Sequence, residues 1–263
     1  MKLSGISLVI VLALFSSCSE DNIDPQPVTV DLKPVRYEED NFTREYFYND
    51  ANQLTQIKFV TTFINGGTIT SVQNFSYRAD GKIAEATSDT GFKFVYTYSG
   101  DHIIRTDEYV NGSWSEYHSF TYDQAGRIKE MISYQNIPEE GGIIPVSKDT
   151  YEYDNRGNLS VMKMYYYTSY GAEAKLQTVF LSSDYDDKVN SEELFEINIF
   201  NPYLRLNKNN PGKLVIQNGL GNTTSTEVYT YDYNEKGYAI KKRTDVTLYH
   251  GGTGSYSGTY IYK

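Results

Sequence analysis

A nine-residue pattern at positions 120–128, FTYDQAGRI, recurs along the chain and limits what this sequence can fold into. Phe120 and Tyr122 fall on one face at the two-residue period of a β-strand, and Ile128 begins a return strand after a tight turn. Gly126 supplies the positive φ that such a turn needs. Related copies lie at 46–54, 75–83, 96–103, 151–159 and 231–238, and a strand half without a turn ends the chain at 260–263.

The spacing of the copies indicates one β-hairpin per repeat. The second tyrosine of the first five copies stands at positions 48, 77, 98, 122 and 153, which gives intervals of 29, 21, 24 and 31 residues. Each interval holds two strands and two turns. The sequence therefore predicts an all-β fold, an antiparallel up-and-down meander of hairpin repeats with about 14–16 strands. We expect the repeated turns at one end of the sheet and turns of variable length at the other.

The meander is expected to form a closed or nearly closed barrel, because an open edge would leave backbone hydrogen-bonding groups unpaired. The last strand, Tyr260–Tyr262, should pair with the strand around Glu45–Tyr48 or with a covering segment. The composition agrees with many short strands, since 26 Tyr, 12 Phe and 20 Gly stand against 7 Pro.

The first residues form a separate element. Lys2 precedes an apolar stretch, Ile6–Phe15, that is too short to span a bilayer as a stable helix. Small residues then precede Cys18, the only cysteine of the chain. The arrangement resembles a bacterial lipoprotein signal peptide, which is cleaved before a cysteine that becomes lipidated with diacylglycerol and palmitate. The alternative is an ordinary secretory signal with an unrelated cysteine, and the absence of any other cysteine favours lipidation of Cys18.

The segment after Cys18 indicates where in the cell the protein is located. The acidic run at 19–22 resembles the surface-export signal of Bacteroidetes lipoproteins, and the alternative is a solvated linker. The resemblance implies a lipid-anchored protein of the cell outer membrane that faces the extracellular side. Residues 1–17 are thus a predicted signal peptide and residues 18–38, with three prolines, a flexible tether. Residues 39–263 are a single predicted barrel domain.

The repeat pattern breaks between about 182 and 214. Two prolines and several asparagines and aspartates argue against a central strand there. We expect a long irregular connection, with a helical turn near Ser191–Phe195, that covers one end of the sheet. Aspartates 184, 186 and 187 offer oxygen ligands for calcium, but a turn or a helix cap suits their spacing better.

Three stretches in this break carry a family resemblance. They are Tyr185–Asn190, Asn201-Pro202 and Asn207–Lys213. These stretches resemble a domain of unknown function with a porin-like fold that is found in Bacteroidetes lipoproteins. The hairpins in addition resemble the tyrosine–aspartate repeats of Rhs-type proteins. The resemblance covers roughly residues 40–263. It implies a many-stranded antiparallel barrel and no assigned activity.

The strand faces opposite the aromatic residues carry polar side chains, namely Lys58, Lys93, Lys129, Ser133 and Glu152. A membrane-spanning barrel needs a continuous apolar face on every strand. We therefore expect a barrel that lies outside the bilayer, with an aromatic interior and a lipid tether to the membrane. The formal net charge of −10 argues against nucleic acid as a partner, because neutralising phosphates needs a basic face.

No catalytic constellation is recognisable. Histidines 102, 118 and 250 lie in unlike contexts without metal-ligand spacing, and His118 is expected on the polar surface. The sequence contains no Gly-x-Ser-x-Gly elbow and no phosphate-binding glycine loop. We therefore predict no catalytic residue, no metal ligand, no cofactor and no enzymatic activity.

Trp114, with Tyr109 and Tyr117 nearby, is the one candidate for ligand binding. An exposed aromatic platform would stack on sugar rings. Alternatively Trp114 packs inside the barrel, which the sequence favours because aromatic residues dominate strand cores. The favoured function is a non-catalytic scaffold or protein-partner-binding role. The alternative is a glycan-binding or small-ligand-binding module, which exposure of Trp114 would favour, and a hydrolase or a pore ranks lower.

Overall fold

The computed structural model describes residues 32–169 and 171–263, except for the side chain of Glu140. Sixteen antiparallel strands form a closed barrel in simple up-and-down order. The strands are β1 (Pro34–Glu39), β2 (Phe42–Tyr48), β3 (Leu54–Thr62), β4 (Thr68–Tyr77), β5 (Ile83–Ser88), β6 (Phe92–Ser99), β7 (His102–Val110), β8 (Ser113–Tyr122), β9 (Ile128–Ile137), β10 (Gly142–Tyr153), β11 (Leu159–Tyr166), β12 (Lys175–Ser183), β13 (Lys213–Asn218), β14 (Thr223–Tyr233), β15 (Ala239–Leu248) and β16 (Thr253–Tyr262). A short helix, α1 (Glu192–Phe195), lies between β12 and β13, and a 3-10 turn occupies Pro138–Glu140. The all-β barrel and its strand number are as predicted.

Closure is confirmed, but the closing strand differs from the prediction. Strand β16 pairs with β1, where Tyr260 lies opposite Tyr37, and not with Glu45–Tyr48. Strand β1 begins at Pro34, inside the stretch that the sequence assigned to the tether, so the barrel starts before residue 39. The sequence of β1 lacks the Tyr-x-Tyr pattern. Its proline is tolerated because it occupies the first position of the strand.

The repeated tyrosine has a structural role at each hairpin. A β-bulge falls at the second tyrosine of all six copies, from Tyr48 to Tyr233. The hydroxyl of Tyr122 donates a hydrogen bond of 2.6 Å to the carbonyl of Ile103, which lies at the start of the preceding return strand. Equivalent bonds from a tyrosine hydroxyl to a backbone carbonyl join Tyr77 to Leu54, Tyr98 to Ile83, Tyr153 to Ile128, Tyr185 to Leu159 and Tyr262 to Ala239. Each bond contributes on the order of 1 kcal/mol, and together they join successive hairpins.

In the copies at 46–54, 75–83, 120–128, 151–159 and 231–238, a carboxylate or amide side chain holds the turn that follows the second tyrosine. In the repeat at 120–128, Asp123 Oδ1 accepts the backbone N–H groups of Ala125 and Arg127, each at 2.9 Å. Gly126 has a φ of 75°, in the left-handed region that favours glycine. These turns all lie at one end of the barrel, which we call the repeat end, and the opposite end is the open end. Both chain ends of the barrel meet at the repeat end, where Lys33 N donates to Lys263 O.

The outer wall of the barrel is polar and carries ion pairs. Lys58 lies 3.1 Å from Glu45 across strands β2 and β3, and Lys163 lies 2.7 Å from Glu152 across β10 and β11. Arg105 and Arg243 each pair with the aspartate two residues further along the same strand. This pattern agrees with the expected outer face. Ser133 is an exception, because it is buried and faces the interior opposite His118.

Within the described part of the chain, no helix is long and apolar enough to cross a membrane.

Candidate functional site

Residues 184–212, here called the plug, fill the interior of the barrel at the repeat end. The segment leaves β12, enters the barrel and returns to β13, although these two strands pair directly. Backbone carbonyls of the plug accept hydrogen bonds from the wall: Tyr96 Oη donates to Ile199 O at 2.7 Å, and Thr106 Oγ1 donates to Phe200 O. The sequence predicted an irregular connection that covers one end of the sheet, and the helical turn lies where it was expected. The structure places the connection inside the barrel.

Phe195, at the end of α1, anchors the plug against a group of tyrosine rings. It is 1% exposed, and its ring centroid lies 5.4 Å from Tyr46, 5.1 Å from Tyr260 and 5.2 Å from Tyr262. The Tyr46 hydroxyl also donates to the carbonyl of Phe195. These tyrosines come from strands β2 and β16, so Phe195 packs against the walls on both sides of the barrel closure.

Asparagine side chains fix the returning part of the plug to the repeated turns. Asn158 is fully buried, and its Oδ1 accepts the backbone N–H groups of Lys208 and Asn209 at 2.8 and 2.9 Å. Its Nδ2 donates to Asn209 Oδ1 at 3.1 Å. Backbone groups that have no strand partner are satisfied in this way. The asparagine-rich sequence of the plug is thus explained by its contacts.

Asp186 belongs to the same network. Its Oδ1 accepts the backbone N–H groups of Lys188 and Asn210, both at 3.0 Å. Neighbouring Asp187 lies 3.0 Å from the Lys188 ammonium. These contacts support the turn-and-cap interpretation of Asp186 over a role as a calcium ligand.

Two ion pairs hold the plug to the wall on the side that faces the open end. Lys242 Nζ lies 2.6 Å from Glu192, and Arg44 lies 3.3 Å from Glu196. Arg44 also donates to the carbonyl of Phe195 at 3.3 Å. A cavity of about 120 Å³ borders both pairs. We call the space between the plug and the open end, which includes this cavity, the cup, and the plug is its floor.

The cup is rich in carboxylates. Its wall and floor carry Glu39, Glu108, Glu116, Asp149, Glu192, Glu196 and Glu227. Among the described residues, Glu39, Glu108, Asp149 and Glu227 take part in no salt bridge. A concave surface of one charge sign concentrates ligands of the opposite sign. Arg44 and Lys242 also border the cup but are paired with Glu196 and Glu192, so the remaining carboxylates suit the cup to cationic ligands.

Glu193 lies inside the plug and borders a cavity of about 390 Å³. Its Oε1 accepts the backbone N–H groups of Leu206 and Asn207, at 2.8 and 2.5 Å, while its Oε2 has no hydrogen-bond partner. Burial raises the pKa of the carboxyl to about 7. The protonated form is thus favoured in the folded protein well above the pH at which an exposed glutamate ionises.

Replacing Glu193 with glutamine should make stability less sensitive to pH. Between pH 4.5 and about 7 the folded chain binds the Glu193 proton more tightly than the unfolded chain. Stability contributed by this group is therefore complete below pH 4.5 and is lost as pH rises through 7, by on the order of 1–3 kcal/mol. Glutamine keeps the acceptor oxygen and carries no charge. Thermal unfolding at pH 5 and pH 8 should show a smaller difference for Glu193→Gln than for the wild type. The exposed Glu235→Gln is the control, and an equal pH dependence in all three proteins would refute the assignment.

A second polar cluster faces the interior from strands β7 to β10. Glu108 lies opposite Glu116 in the strand register, and His118 follows on the same face of β8. His118 Nδ1 lies 2.8 Å from Ser133 Oγ, and its ring centroid lies 4.0 Å from that of Phe200 of the plug. The cluster thus lies where the wall of the cup meets the plug.

The carboxyl groups of this cluster have different pKa shifts. The close approach of the His118 ring, 3.3 Å from Glu116 Oε1, lowers the pKa of Glu116. Burial, with the nearby Glu116 charge second, raises the pKa of Glu108. Burial also raises the pKa of Asp149, on β10, to about 6. The group therefore combines one carboxyl whose pKa is lowered with two whose pKa is raised, beside one imidazole.

The prediction that His118 lies on the polar surface is wrong, because its side chain is 3% exposed and faces the interior. The signal was present in the strand period. Glu116 and His118 continue the two-residue period of Phe120 and Tyr122, which are inward residues of β8, so all four fall on the same face. Glu108, Glu116 and His118 were not proposed from the sequence.

The proposed binding residues Trp114, Tyr109 and Tyr117 come together on the outer wall. Tyr109 lies opposite Trp114 in the register of β7 and β8. Trp114 is partly buried, and its Nε1 donates to Asp107 Oδ1 at 3.1 Å. The favoured expectation that Trp114 packs inside the barrel is therefore wrong. A β-bulge between the two strands reverses the direction of Trp114 relative to Glu116.

Tyr117 has little free ring surface in this outer patch. The Arg105 guanidinium carbon lies 3.7 Å from the Tyr117 ring centroid, and Tyr134 stacks against the ring with centroids 4.5 Å apart. Trp114 lies further away, at 6.4 Å from Tyr117. Of the two rings, Tyr117 is thus covered more closely by its neighbours than by Trp114, which leaves Trp114 as the stronger candidate for contact with a ligand.

Comparison with solved structures identifies the fold. A porin-like protein from Bacteroides uniformis superposes with a TM-score of 0.62 at 14% identity, covering 88% of this chain and 96% of that one. A porin-like protein from Bacteroides vulgatus aligns over 89% of this chain and 99% of that one, with a TM-score of 0.40 and 12% identity. The chain therefore has a porin-like barrel fold of the Bacteroidetes type, as the resemblance implied. At this identity the likeness extends to the fold alone.

No family model matches the chain, and no curated protein matches it.

Proposed function

We propose that this protein is a lipid-anchored lipoprotein of the outer membrane, in which a plugged barrel serves as a non-catalytic binding scaffold. The observation that carries the proposal is the plug, which fills the repeat end and leaves a cup at the open end. A barrel filled by its own chain is suited to holding a ligand or a partner. It is poorly suited to conduction.

The polar outer wall supports an anchor in place of a membrane-embedded barrel. Ion pairs such as Lys58–Glu45 and Lys163–Glu152 lie on the outside of the strands, where a lipid-facing barrel needs an apolar band. Cys18, which lies outside the described residues, is the residue that would carry the lipid. The described chain enters the barrel at the repeat end, where Lys33 N donates to Lys263 O.

Surface display can be tested with introduced cysteines, because a lipidated Cys18 leaves the chain without a free thiol. Asn65→Cys lies in an exposed turn at the open end, and Ile57→Cys lies in the core at 2% exposure. A membrane-impermeant maleimide should label Asn65→Cys on intact cells and leave Ile57→Cys and the wild type unlabelled. Labelling of Asn65→Cys only after the outer membrane is disrupted would refute extracellular display.

A second candidate function is glycan binding at the outer patch, favoured by the outward direction of Trp114 beside Tyr109. Binding of host and dietary polysaccharides should then be saturable, weakened at least tenfold by Trp114→Ala and largely retained by Trp114→Phe, which keeps an aromatic face. Saturable binding that Trp114→Ala leaves unchanged would place the glycan site elsewhere. The absence of binding across the panel would leave the partner-binding scaffold.

A further inference from the structure

The interior cluster of β7 and β8 has the composition of a metal site. Glu108, Glu116 and His118 each direct a ligand atom into a space where all three atoms lie within 4.8 Å of one another. Glu108 is 8% exposed and His118 is 3% exposed, so these two donors are withdrawn from bulk water. The three residues lie on two paired strands, which fix their spacing.

His118 presents an unused nitrogen to this space. Its Nδ1 is engaged by Ser133 Oγ at 2.8 Å. Its Nε2 lies 3.3 Å from Glu116 Oε1 but lacks the alignment of a hydrogen bond, so this buried atom has no hydrogen-bond partner. A histidine held through one ring nitrogen with the other directed at carboxylates is the usual arrangement of a metal ligand.

Strand β10, which is separated from β8 by β9, adds a second unsatisfied group. Asp149, on β10, is 5% exposed, and its Oδ1 is also buried without a hydrogen-bond partner. Asp149 lies opposite Met131 of β9, and Ser133 is the next residue of β9 on the same inward face. Buried polar atoms without partners are rare in native proteins and call for an explanation such as a bound ion.

We propose that Glu108, Glu116 and His118 bind a divalent transition-metal ion, with Zn²⁺ as the best fit. Zinc takes imidazole and carboxylate ligands at about 2.0–2.2 Å, which puts tetrahedral ligand atoms roughly 3.3 Å apart. The His118–Glu116 pair already has this separation, at 3.3 Å. Calcium and magnesium prefer all-oxygen sites, so the imidazole disfavours them. Three protein ligands leave the fourth position for water or for a donor atom of a molecule in the cup. This site is independent of the lipid anchor.

The test is binding of Zn²⁺ to the full tag-free lipoprotein in detergent, measured by equilibrium dialysis and titration calorimetry. We expect one ion per chain with a dissociation constant in the micromolar range or lower. Glu108→Gln and Glu116→Gln should each weaken binding at least tenfold, and His118→Asn should abolish it. His250→Asn, which changes an exposed histidine at the open end, is the matched control and should bind as the wild type does.

Two further measurements keep the result decisive. Circular dichroism establishes that each variant is folded, and the two glutamine variants decide the outcome if His118→Asn does not fold. X-ray absorption at the zinc edge should show one imidazole nitrogen and oxygen ligands at about 2.0–2.2 Å. Binding weaker than millimolar, binding unchanged in both glutamine variants, or an equal loss in His250→Asn would each overturn the proposal.

Discussion

Replacing Phe195 with alanine should lower the free energy of unfolding by about 3–5 kcal/mol, the usual cost of removing a buried phenylalanine. The ring is 1% exposed and packs edge-on against Tyr46 and Tyr262. Because the plug backbone is tied to the walls on both sides of this ring, the space left by the substitution cannot close by simple collapse. The loss should therefore lie near the upper end of the range.

Urea unfolding followed by circular dichroism measures this effect. Phe47→Ala is the matched control, because Phe47 lies next to Tyr46 on β2 but points outward and is 44% exposed. We expect the control to change stability by less than about 1 kcal/mol. A Phe195→Ala variant as stable as Phe47→Ala would show that the plug does not stabilise the barrel through this contact.

Replacing Asn158 with alanine should cost about 2–4 kcal/mol. The substitution removes two part-buried hydrogen bonds, from the backbone N–H groups of Lys208 and Asn209, and leaves both donors without this partner. Each unsatisfied buried group costs about 1–3 kcal/mol. The returning part of the plug should also become mobile, because Asn158 ties it to the repeated turn.

Limited trypsin digestion distinguishes this effect from a general loss of stability. Asn158→Ala should be cleaved after Lys208 under conditions where the wild type is intact. Asn155→Ala is the control, because Asn155 lies in the same turn and is exposed. Equal protection of the plug in the two variants would contradict the role assigned to Asn158.

The fold was predictable because the hairpins are locally encoded. Phe120 and Tyr122 mark the inward face, Gly126 marks the turn, and related patterns recur at intervals of 21 to 31 residues over the first five copies. The repetition of hairpins implies an antiparallel meander, and the cost of an open edge implies closure. Strand β1 escaped detection because it carries a single tyrosine and begins with a proline.

The position of the plug could not be derived in the same way. Its backbone groups bond to side chains far away in sequence, such as Tyr96 to Ile199 and Thr106 to Phe200. The local periodicity of a sequence does not indicate hydrogen-bond partners that are so distant along the chain. The sequence showed where the pattern stops, and the interior of the barrel determines where the segment goes.

The direction of the Trp114 side chain was mispredicted because of a single inserted residue in β8. Strict alternation along β8 would place Trp114 on the same inward face as Glu116 and His118. The bulge at Ser115 adds one residue and moves Trp114 to the outer wall. A one-residue insertion of this kind has no signature in the sequence, whereas the inward direction of His118 did follow from the alternation.

The most direct test of the account is the partition of the chain without its anchor. Residues 19–263 are fused to a cleavable secretory signal, so that the exported chain lacks Cys18 but keeps the whole barrel. We expect the wild type in the outer-membrane fraction and the anchor-free chain in the aqueous fraction without detergent, because charged pairs such as Lys58–Glu45 cover the outer wall. An anchor-free chain that stays in carbonate-washed membranes would contradict the account, since the barrel itself would then be the part that enters the bilayer.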